Sequence, residues 1–548
     1  MSQASSSRHR TVEEMLSPLN AHDFDWKAYE GTYQGRALIT RLFHIPSLLL
    51  SSQSKPTFQA ISFSRAALAR LIPHLKNETW DWSLYYSSIK LLKDPSARRK
   101  SKDEREDDIS RMDIDDLNTI PVDAGGTGNG SGGEEEDGIA DIKWIENVKE
   151  LERRENNRLD VELRGYLSNL IKESIRLTYL AFAQLSVKVG NSQAAMKNYS
   201  AVREYSTSSQ HHVDLGVGIV ETLLAFNLPS TLPGHISKLE STLDRLHPPP
   251  PTTRGPTTEA ANVTASDLRE RRENEARSLA VRRSVMVRIR VAKGLVALHN
   301  REWSKAGREL GSVGEEEGGL GDFEGKAISS ADLALITAFC ILASADRDRI
   351  RRVLLDRTSF KAQIDDHDSW IVDLISAYVD ANYGQVMNLL QRAEPMLLLN
   401  PFLSSHAGIL LDLIEKRCIL QYVKPFATIQ IPVMATAFGL DTKHMLSLVE
   451  GLVENKEIQG KVDLIDQILV LKEPDHRGEM FTNAFKVGKK AGDVTQTAIL
   501  RMKMIEAGIL VDPRNKSSDR NGHDEKGQLI LDEGLSEEMT IEPPSYEA

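Results

Sequence analysis

Cysteine is scarce in this sequence of 548 residues, which contains only Cys340 and Cys418. A zinc module held by thiolates needs several cysteines at short spacings, so two distant cysteines exclude one. Both stand among apolar neighbours, in the segments AFCIL and RCILQY. This setting predicts buried, reduced side chains rather than a disulfide or reactive thiols.

Long apolar runs are missing as well. Apolar runs such as LAFAQL and IDQILVL are far shorter than the roughly 20 residues that a membrane-spanning helix needs. The N-terminal segment MSQASSSRHRTVEEM has no apolar run of the kind found in a signal peptide. We therefore expect a soluble, intracellular protein without a membrane partner.

Catalytic motifs are also lacking. There is no HExxH and no His-x-His, and the adjacent His211 and His212 would point to different sides of a helix. Residues 321–327, GDFEGKA, come nearest to a phosphate-binding loop. They have three residues between the glycines instead of four, and alanine where serine or threonine would bind magnesium. We expect no catalytic residue, no cofactor and no bound metal.

The charge of the chain is concentrated in one segment. The whole sequence has a net charge of −11, and residues 103–137 alone contain thirteen acidic and two basic residues, which is also −11. The remainder is therefore close to neutral. It has no strong field that would attract nucleic acid or anionic lipid.

Three stretches break the otherwise helical pattern. Residues 94–140 are charged and then Gly-rich, which predicts a disordered insertion. Residues 247–265 begin with four consecutive prolines after His247 and predict an extended loop. Residues 511–548 form a polar tail that we also expect to be disordered.

Apolar residues at helical spacing fill the segments 1–93 and 141–400. A stripe from Leu163 to Val189 predicts one helix that ends at Gly190 in a left-handed cap, and a new helix follows at once. The two-helix unit recurs in LVALHNREWSKAGREL and in AYVDANYGQVMNLLQRAE. Successive helix pairs of about 35–40 residues are typical of a tetratricopeptide-like helical-repeat solenoid. An irregular helical domain is the alternative.

Residues 401–475 change the pattern to helix, strand, helix, helix, strand, strand. The first strand is the β-branched run that begins at Thr428, and the last two surround a turn near residues 464–467. This is the element order of a winged helix, a relative of the helix-turn-helix. The fold class is thus dominated by α-helix, with one small β-containing module.

A winged helix raises the possibility of DNA binding through its second helix. Phosphate contacts dominate the affinity for DNA, so that helix should be basic. Its basic residues are Lys443, His444 and Lys456, and its acidic residues are Asp441, Glu450, Glu454 and Glu457. The balance is acidic, and nucleic-acid binding is therefore disfavoured.

The strands of the winged helix can still bind protein. Short edge strands expose backbone N–H and C=O groups that can pair with a strand of another chain. The candidate interface residues on these strands are Thr428, Ile429, Gln430, Ile458, Lys461 and Val462.

The last helix, over residues 476–510, has an apolar seam with steps of four and three residues. The seam consists of Met480, Ala484, Val487, Ala491, Val494, Ala498 and then Met502 or Ile505. This heptad spacing, with small residues, predicts close packing against helices of other subunits. In the alternative interpretation the helix folds back on the winged helix.

The chain resembles the PCI family, whose members occur in the proteasome lid, the constitutive photomorphogenesis 9 signalosome and translation initiation factor three. The winged-helix residues 438–471, FGLDTKHMLSLVEGLVENKEIQGKVDLIDQILVL, carry this resemblance. Residues 29–42, 163–176, 197–215 and 330–361 resemble subunit one of the signalosome in particular. The resemblance extends over about residues 29–92 and 142–509.

The resemblance implies a function. It indicates a non-catalytic scaffold subunit of the signalosome, the complex that removes Nedd8 from cullins and so regulates cullin-RING ubiquitin ligases. The implied partners are other PCI-domain subunits, a metalloprotease subunit that carries the active site and, indirectly, the cullin-RING ligases. The implied location is nuclear and cytoplasmic. The alternatives are a proteasome lid subunit of the same family and a nucleic-acid-binding winged-helix protein.

Overall fold

The computed structural model describes residues 24–49, 58–93, 141–247, 265–316, 319–472 and 476–507. The predicted insertion and the predicted tail lie outside these residues, as does nearly all of the Pro-rich loop. The described residues divide into two compact units, one ending at Lys472 and one beginning with the last helix. No helix among them is both long enough and apolar enough to cross a membrane.

The N-terminal segment is helical, as the sequence predicts. Its helices are α1 (Trp26–Thr32), α2 (Gly35–Leu49), α3 (Phe58–Glu78) and α4 (Trp82–Lys93). The carboxylate of Asp25 accepts hydrogen bonds from the first-turn N–H groups of Lys27 and Ala28 and so caps α1. Helix α2 packs on α3, and α3 packs on α4.

The next helices form the first part of the repeat array. They are α5 (Ile142–Ser168), α6 (Lys172–Val189), α7 (Ser192–Tyr205), α8 (Ser209–Ala225) and α9 (Leu232–Leu246). Gly190 ends α6 in the left-handed conformation, with φ +92°, as predicted. The side-chain oxygen of Asn191 then accepts a hydrogen bond from the N–H of Ala194 and begins α7.

The helix predicted from Leu163 to Val189 is interrupted, so that prediction was wrong. Helix α5 ends at Ser168, and α6 begins at Lys172. Between them Leu170 has φ +53°, and the N–H of Ile171 donates to the carbonyl of Tyr166. This is a helix-ending turn of the Schellman type made without glycine, and the sequence therefore gave no sign of it.

The second part of the array has the same alternation. Its main helices are α10 (Ala265–His299), α11 (Trp303–Glu316), α12 (Ser330–Ser344), α15 (Trp370–Val379) and α16 (Tyr383–Leu399), with the single turns α13 (Arg347–Ile350) and α14 (Thr358–Lys361). Each long helix packs on the next along the chain. The predicted helical-repeat fold is confirmed.

Both cysteines are free and buried, as predicted. Cys340 lies in the middle of α12, every residue of which from Asp332 to Ala343 is buried. Burial raises the pKa of the Cys340 thiol to about 12. The thiol therefore stays protonated at neutral pH and is a poor nucleophile.

Helix α2 lies across the repeat array rather than at one end of it. The hydroxyl of Thr40 donates to the carbonyl of Ala225 in α8 at 2.8 Å. The Nε2 of His44 is 3.2 Å from the carbonyl oxygen of Leu398 in α16. Helix α2 thus joins helices that are far apart in the sequence.

A buried ionic network fixes this arrangement at the start of α12. One carboxylate oxygen of Asp332 accepts hydrogen bonds from the guanidinium of Arg41 and the hydroxyl of Tyr33, each at 2.6 Å. Its other oxygen accepts from the amide of Asn400 at 2.9 Å. Burial, together with the charge of Asp332, raises the pKa of Tyr33 well above its ordinary value. The network joins the N-terminal helices, α12 and the segment after α16.

The winged helix has the predicted order of elements. It comprises α17 (Ala407–Val423), β1 (Thr428–Gln430), α18 (Ile431–Phe438), α19 (Thr442–Glu454), β2 (Gly460–Asp463) and β3 (Ile468–Leu471). Strand β1 ends at Gln430, because Pro432 occupies the first turn of α18, where its missing N–H costs nothing. Gly439 ends α18 with φ +67°.

The last helix, α20 (His476–Glu506), is a unit of its own. Its described side chains are almost all exposed. The sequence predicts this helix over residues 476–510, and the structure describes residues 476–507 of that range.

Replacing Asp332 by alanine should destabilise the larger unit by about 3–5 kcal/mol, because Arg41 is left buried without its charged partner. Urea unfolding followed by circular dichroism measures the loss. Arg154→Ala is the matched control, since it removes an exposed ion pair with Glu150 and should cost less than about 1 kcal/mol. Equal losses for the two variants would show that the network does not hold the fold together.

Candidate protein-interaction site

The small sheet of the winged helix has two edge strands. The strand order is β1–β3–β2, and both pairings are antiparallel. Strand β3 is therefore paired on both sides, and β1 and β2 each have one outer edge among the described residues. Such an edge is where a strand of another chain can be added.

The hydrogen-bond pattern shows which groups of β1 face outward. The N–H of Leu471 donates to the carbonyl of Ala427, and the N–H of Ile431 donates to that of Gln467. Bonded and non-bonded pairs alternate in an antiparallel ladder, so the pair Ile429–Leu469 is also bonded. Thr428 and Gln430 consequently direct their N–H groups to the outer edge.

The same argument applies to β2. The N–H of Lys472 donates to the carbonyl of Gln459, which makes Lys461–Val470 a bonded pair. Gly460 and Val462 then direct their backbone groups outward. Among the predicted interface residues on this strand, Val462 offers its backbone to a partner, whereas the backbone of Lys461 is engaged with β3.

Two of the predicted interface residues have buried side chains. Ile429 and Ile458 belong to the core of the winged helix. The backbone of Ile429 is also paired with Leu469. Ile458 lies before β2, and its N–H donates to the carbonyl of Leu452. Neither residue therefore offers a side chain or an N–H group to a partner. Sequence alternation could have indicated this for Ile429, since its neighbours on β1 are polar.

The outer face of the sheet contains apolar side chains that are not among the predicted interface residues. Val470 is exposed and lies on β3 between Thr428 and Lys461. Phe426, just before β1, is also exposed and has its ring 5.5 Å from that of Tyr422. These side chains widen the candidate interface from an edge to part of a face.

An aromatic cluster joins the winged helix to the helical repeats. The ring of Tyr383, at the start of α16, stacks on Phe438 of α18 with centroids 5.2 Å apart. Tyr422 of α17 contacts both rings edge to face. Gly384 admits this contact, because a Cβ there would lie 3.0 Å from the carbonyl oxygen of Ala437. The winged helix therefore has one packed position on the repeats.

Helix α19 is the helix that would enter the major groove in a DNA-binding winged helix. Its core side is formed by Met445, Val449 and Leu452. Its charged residues are acidic on balance. Of the basic residues that the sequence suggested for binding phosphate, Lys443 and His444 lie in its first turn, and Lys456 lies beyond its end. Nothing in this geometry strengthens the case for nucleic acid.

Helix α20, taken by itself, exposes two apolar seams rather than one. The predicted interface residues on it form the first seam: Met480, Ala484, Val487, Ala491, Val494, Ala498 and Ile505. The second begins with Phe481 and Phe485 and continues through small residues to Ile499 and Met502, again in steps of four and three. Phe481 and Phe485 are 76% and 70% exposed. Two adjacent seams suit a helix that packs against more than one neighbour.

A metalloprotease site would need a cluster of metal-binding side chains. In the described part of the chain, no group of three or more His, Cys, Asp or Glu side chains could hold a metal ion.

Two protein families match this chain. Residues 141–353, most of the helical repeats, match the family described as 26S proteasome subunit RPN7. Residues 390–473 match the PCI domain and cover the winged helix with the end of α16. Residues 390–473 are therefore similar to the PCI domain, and the predicted resemblance to that family is confirmed.

The curated relatives narrow this class. The chain is 27% identical over 430 residues to COP9 signalosome complex subunit 1b of Drosophila melanogaster, covering 78% of this chain and 74% of the relative. It is 24% identical to subunit 1 of Arabidopsis thaliana over 67% of this chain and 74% of the relative. It is 25% identical to subunit 1 of Emericella nidulans over 74% of this chain and 77% of the relative. The predicted resemblance to subunit one of the signalosome is thereby confirmed as well.

Replacing Met445 by aspartate should unfold the winged helix, because the thioether is fully buried and an unpaired carboxylate cannot be solvated there. We expect a loss above about 4 kcal/mol. Leu446→Asp is the matched control, since Leu446 is only partly buried. Proteolysis of the folded chain, followed by mass spectrometry, should show new cuts in residues 407–471 for Met445→Asp alone. Similar cutting in both variants would contradict the burial difference.

Proposed function

We propose that this chain is a non-catalytic scaffold subunit of a signalosome, the complex that removes Nedd8 from cullins. The observation that carries the proposal is the order of its two domains. Helical repeats of the RPN7 type run into a PCI winged helix, and signalosome subunit 1 proteins are similar over about three quarters of their own length. The described residues add docking elements and no candidate catalytic group.

The proposal includes the partners. A subunit of this kind assembles with other PCI-domain subunits and with a metalloprotease subunit, and through the assembled complex it acts on cullin-RING ubiquitin ligases. We also propose that it works in both the nucleus and the cytoplasm. The basic cluster at residues 98–102 resembles a nuclear signal, and the other interpretation of this cluster is a solvated linker.

The edges of the sheet suit assembly between winged helices. Each outer edge offers only two residues with outward backbone groups: Thr428 and Gln430 on β1, and Gly460 and Val462 on β2. A neighbouring winged helix with a similar short edge could add its strand to the sheet, in either the antiparallel or the parallel direction. Because the chain has two such edges, it could hold one neighbour on each side.

The alternative within the same family is a subunit of the proteasome lid. The match of residues 141–353 to proteasome subunit RPN7 favours it. The curated relatives favour the signalosome, since the three described above carry the signalosome name. They also cover more of the chain than the RPN7 match does.

Affinity purification of the tagged chain from its own cells decides between the two. We expect mass spectrometry to find further PCI-domain proteins and a metalloprotease subunit, and the eluate to remove Nedd8 from a neddylated cullin. Recovery of proteasome ATPases without that activity would support the alternative and contradict the signalosome proposal.

A proline at position 428 tests the role of the β1 edge. Thr428→Pro removes an outward N–H but leaves the bonded pair Ile429–Leu469 intact, so the winged helix should fold. We expect at least one neighbouring PCI subunit to be lost from the purified complex. Thr428→Ala keeps the N–H and is the matched control. If Thr428→Pro retains every partner at the wild-type ratio, the β1 edge is not a docking site.

Deleting residues 478–509 tests the role of helix α20. The first unit ends at Lys472 and is compact without this helix, so the truncated chain should remain folded with an unchanged melting temperature. We expect it to be released from the complex and to elute as a free subunit in size-exclusion chromatography. Retention of the truncated chain in the complex would assign α20 to another role.

A further inference from the structure

The turn that joins α5 and α6 exposes three large apolar side chains within five residues. Leu167, Leu170 and Ile171 are 37%, 79% and 44% exposed. Elsewhere on α5 the apolar residues Ile145, Val148 and Leu159 are buried, whereas Leu151 and Val161 are exposed one at a time. The turn differs from the rest of the helix because it groups three exposed apolar side chains, and such a group marks a contact surface.

The backbone conformation at position 170 is also unfavourable for leucine. With φ +53° it occupies the left-handed region, where glycine or asparagine is preferred at the end of a helix. The hydrogen bonds that close the turn use backbone atoms only: Leu170 N–H to the Leu167 carbonyl and Ile171 N–H to the Tyr166 carbonyl. Among the described residues, neither the backbone nor the core gains from a leucine here.

Two exposed cations flank these apolar side chains. Arg164 precedes the turn, Lys172 follows it, and no ion pair engages either of them among the described residues. The nearest acidic residue in sequence, Glu173, is already bound by Arg176, at 2.5 Å. We name Leu167, Leu170, Ile171, Arg164 and Lys172 the tip surface. Its apolar centre and positive rim suit a segment that is both apolar and acidic.

We propose that the tip surface binds residues 107–120 of the same chain. This segment, DDISRMDIDDLNTI, lies outside the described residues. It contains five aspartates against a single arginine, and its apolar residues are Ile109, Met112, Ile114, Leu117 and Ile120. Alternating acidic and apolar residues complement a surface of apolar and basic side chains, and the excess negative charge of the chain is located in this region.

The connection to α5 is long enough for this contact. Residues 121–141 join the segment to the start of α5, and twenty-one residues can extend over at most about 70 Å. Helix α5 has 27 residues and is about 40 Å long, which is the distance from its start to the tip surface. A tether of this length also keeps the segment at a high local concentration near the tip surface. This favours binding within one chain over binding to the tip surface of a second copy.

Limited trypsin digestion of the full-length chain tests the proposal. Arg111 lies within residues 107–120, whereas Arg98, Arg99 and Lys100 lie outside them and serve as an internal reference. Trypsin cuts only the undocked segment, so cleavage at Arg111 should be about tenfold slower in the wild type than in the variant Leu170→Asn. Asparagine suits the left-handed backbone, so the variant should fold. Lys172→Glu should also make cleavage at Arg111 faster than in the wild type.

The matched control is Leu151→Asn. Leu151 is also exposed, but it lies sixteen residues before Leu167 on α5, which is about 24 Å along the helix. Its Arg111 cleavage should equal that of the wild type. The protection should also be the same at two protein concentrations that differ tenfold. Equal cleavage at Arg111 in the wild type and Leu170→Asn would overturn the proposal. Protection that grows with concentration would assign the surface to a second copy and overturn it as well.

Discussion

The architecture depends on the hydrogen bonds that the buried carboxylate of Asp332 accepts. The carboxylate accepts hydrogen bonds from Arg41, Tyr33 and Asn400, which come from the N-terminal helices and from the end of the repeats. A repeat array is held mainly by contacts between neighbours, so it can bend. Contacts between residues almost three hundred positions apart remove that freedom. Because the charges are buried, the bonds are strong only while every partner is in place.

A different set of contacts holds the winged helix in place on the repeats. Tyr383 belongs to α16, the last helix of the array, and its ring stacks on Phe438 of α18. Asn400, a member of the Asp332 network, follows α16 directly along the chain. The two ends of α16 are thus fixed by unlike interactions, one ionic and one aromatic. The edges of the sheet are consequently presented in one orientation, which a scaffold subunit requires.

The sequence predicted the fold where periodicity or punctuation was clear. The helical repeats, the cap at Gly190 and the element order of the winged helix followed from such signals. The turn at Leu170 did not, because its backbone bonds need no glycine or proline and its apolar residues continue the helical spacing. The Asp332 network was also beyond prediction, since its partners are dispersed along the chain. The interface residues stay predictions, although the ladder shows which backbone groups among them face outward.

The edges of the sheet and helix α20 would each bind a partner weakly when taken alone, but the two together can bind tightly. An edge of three or four residues adds few hydrogen bonds, each of about 1 kcal/mol net. Its exposed side chains on β1, Thr428 and Gln430, are polar, which limits unspecific pairing. Helix α20 offers large apolar seams but no unpaired backbone to fix their register. Only three residues separate the described end of the winged helix from α20. Such a short link makes binding through one element raise the effective concentration of the other, so the pair can be both specific and tight.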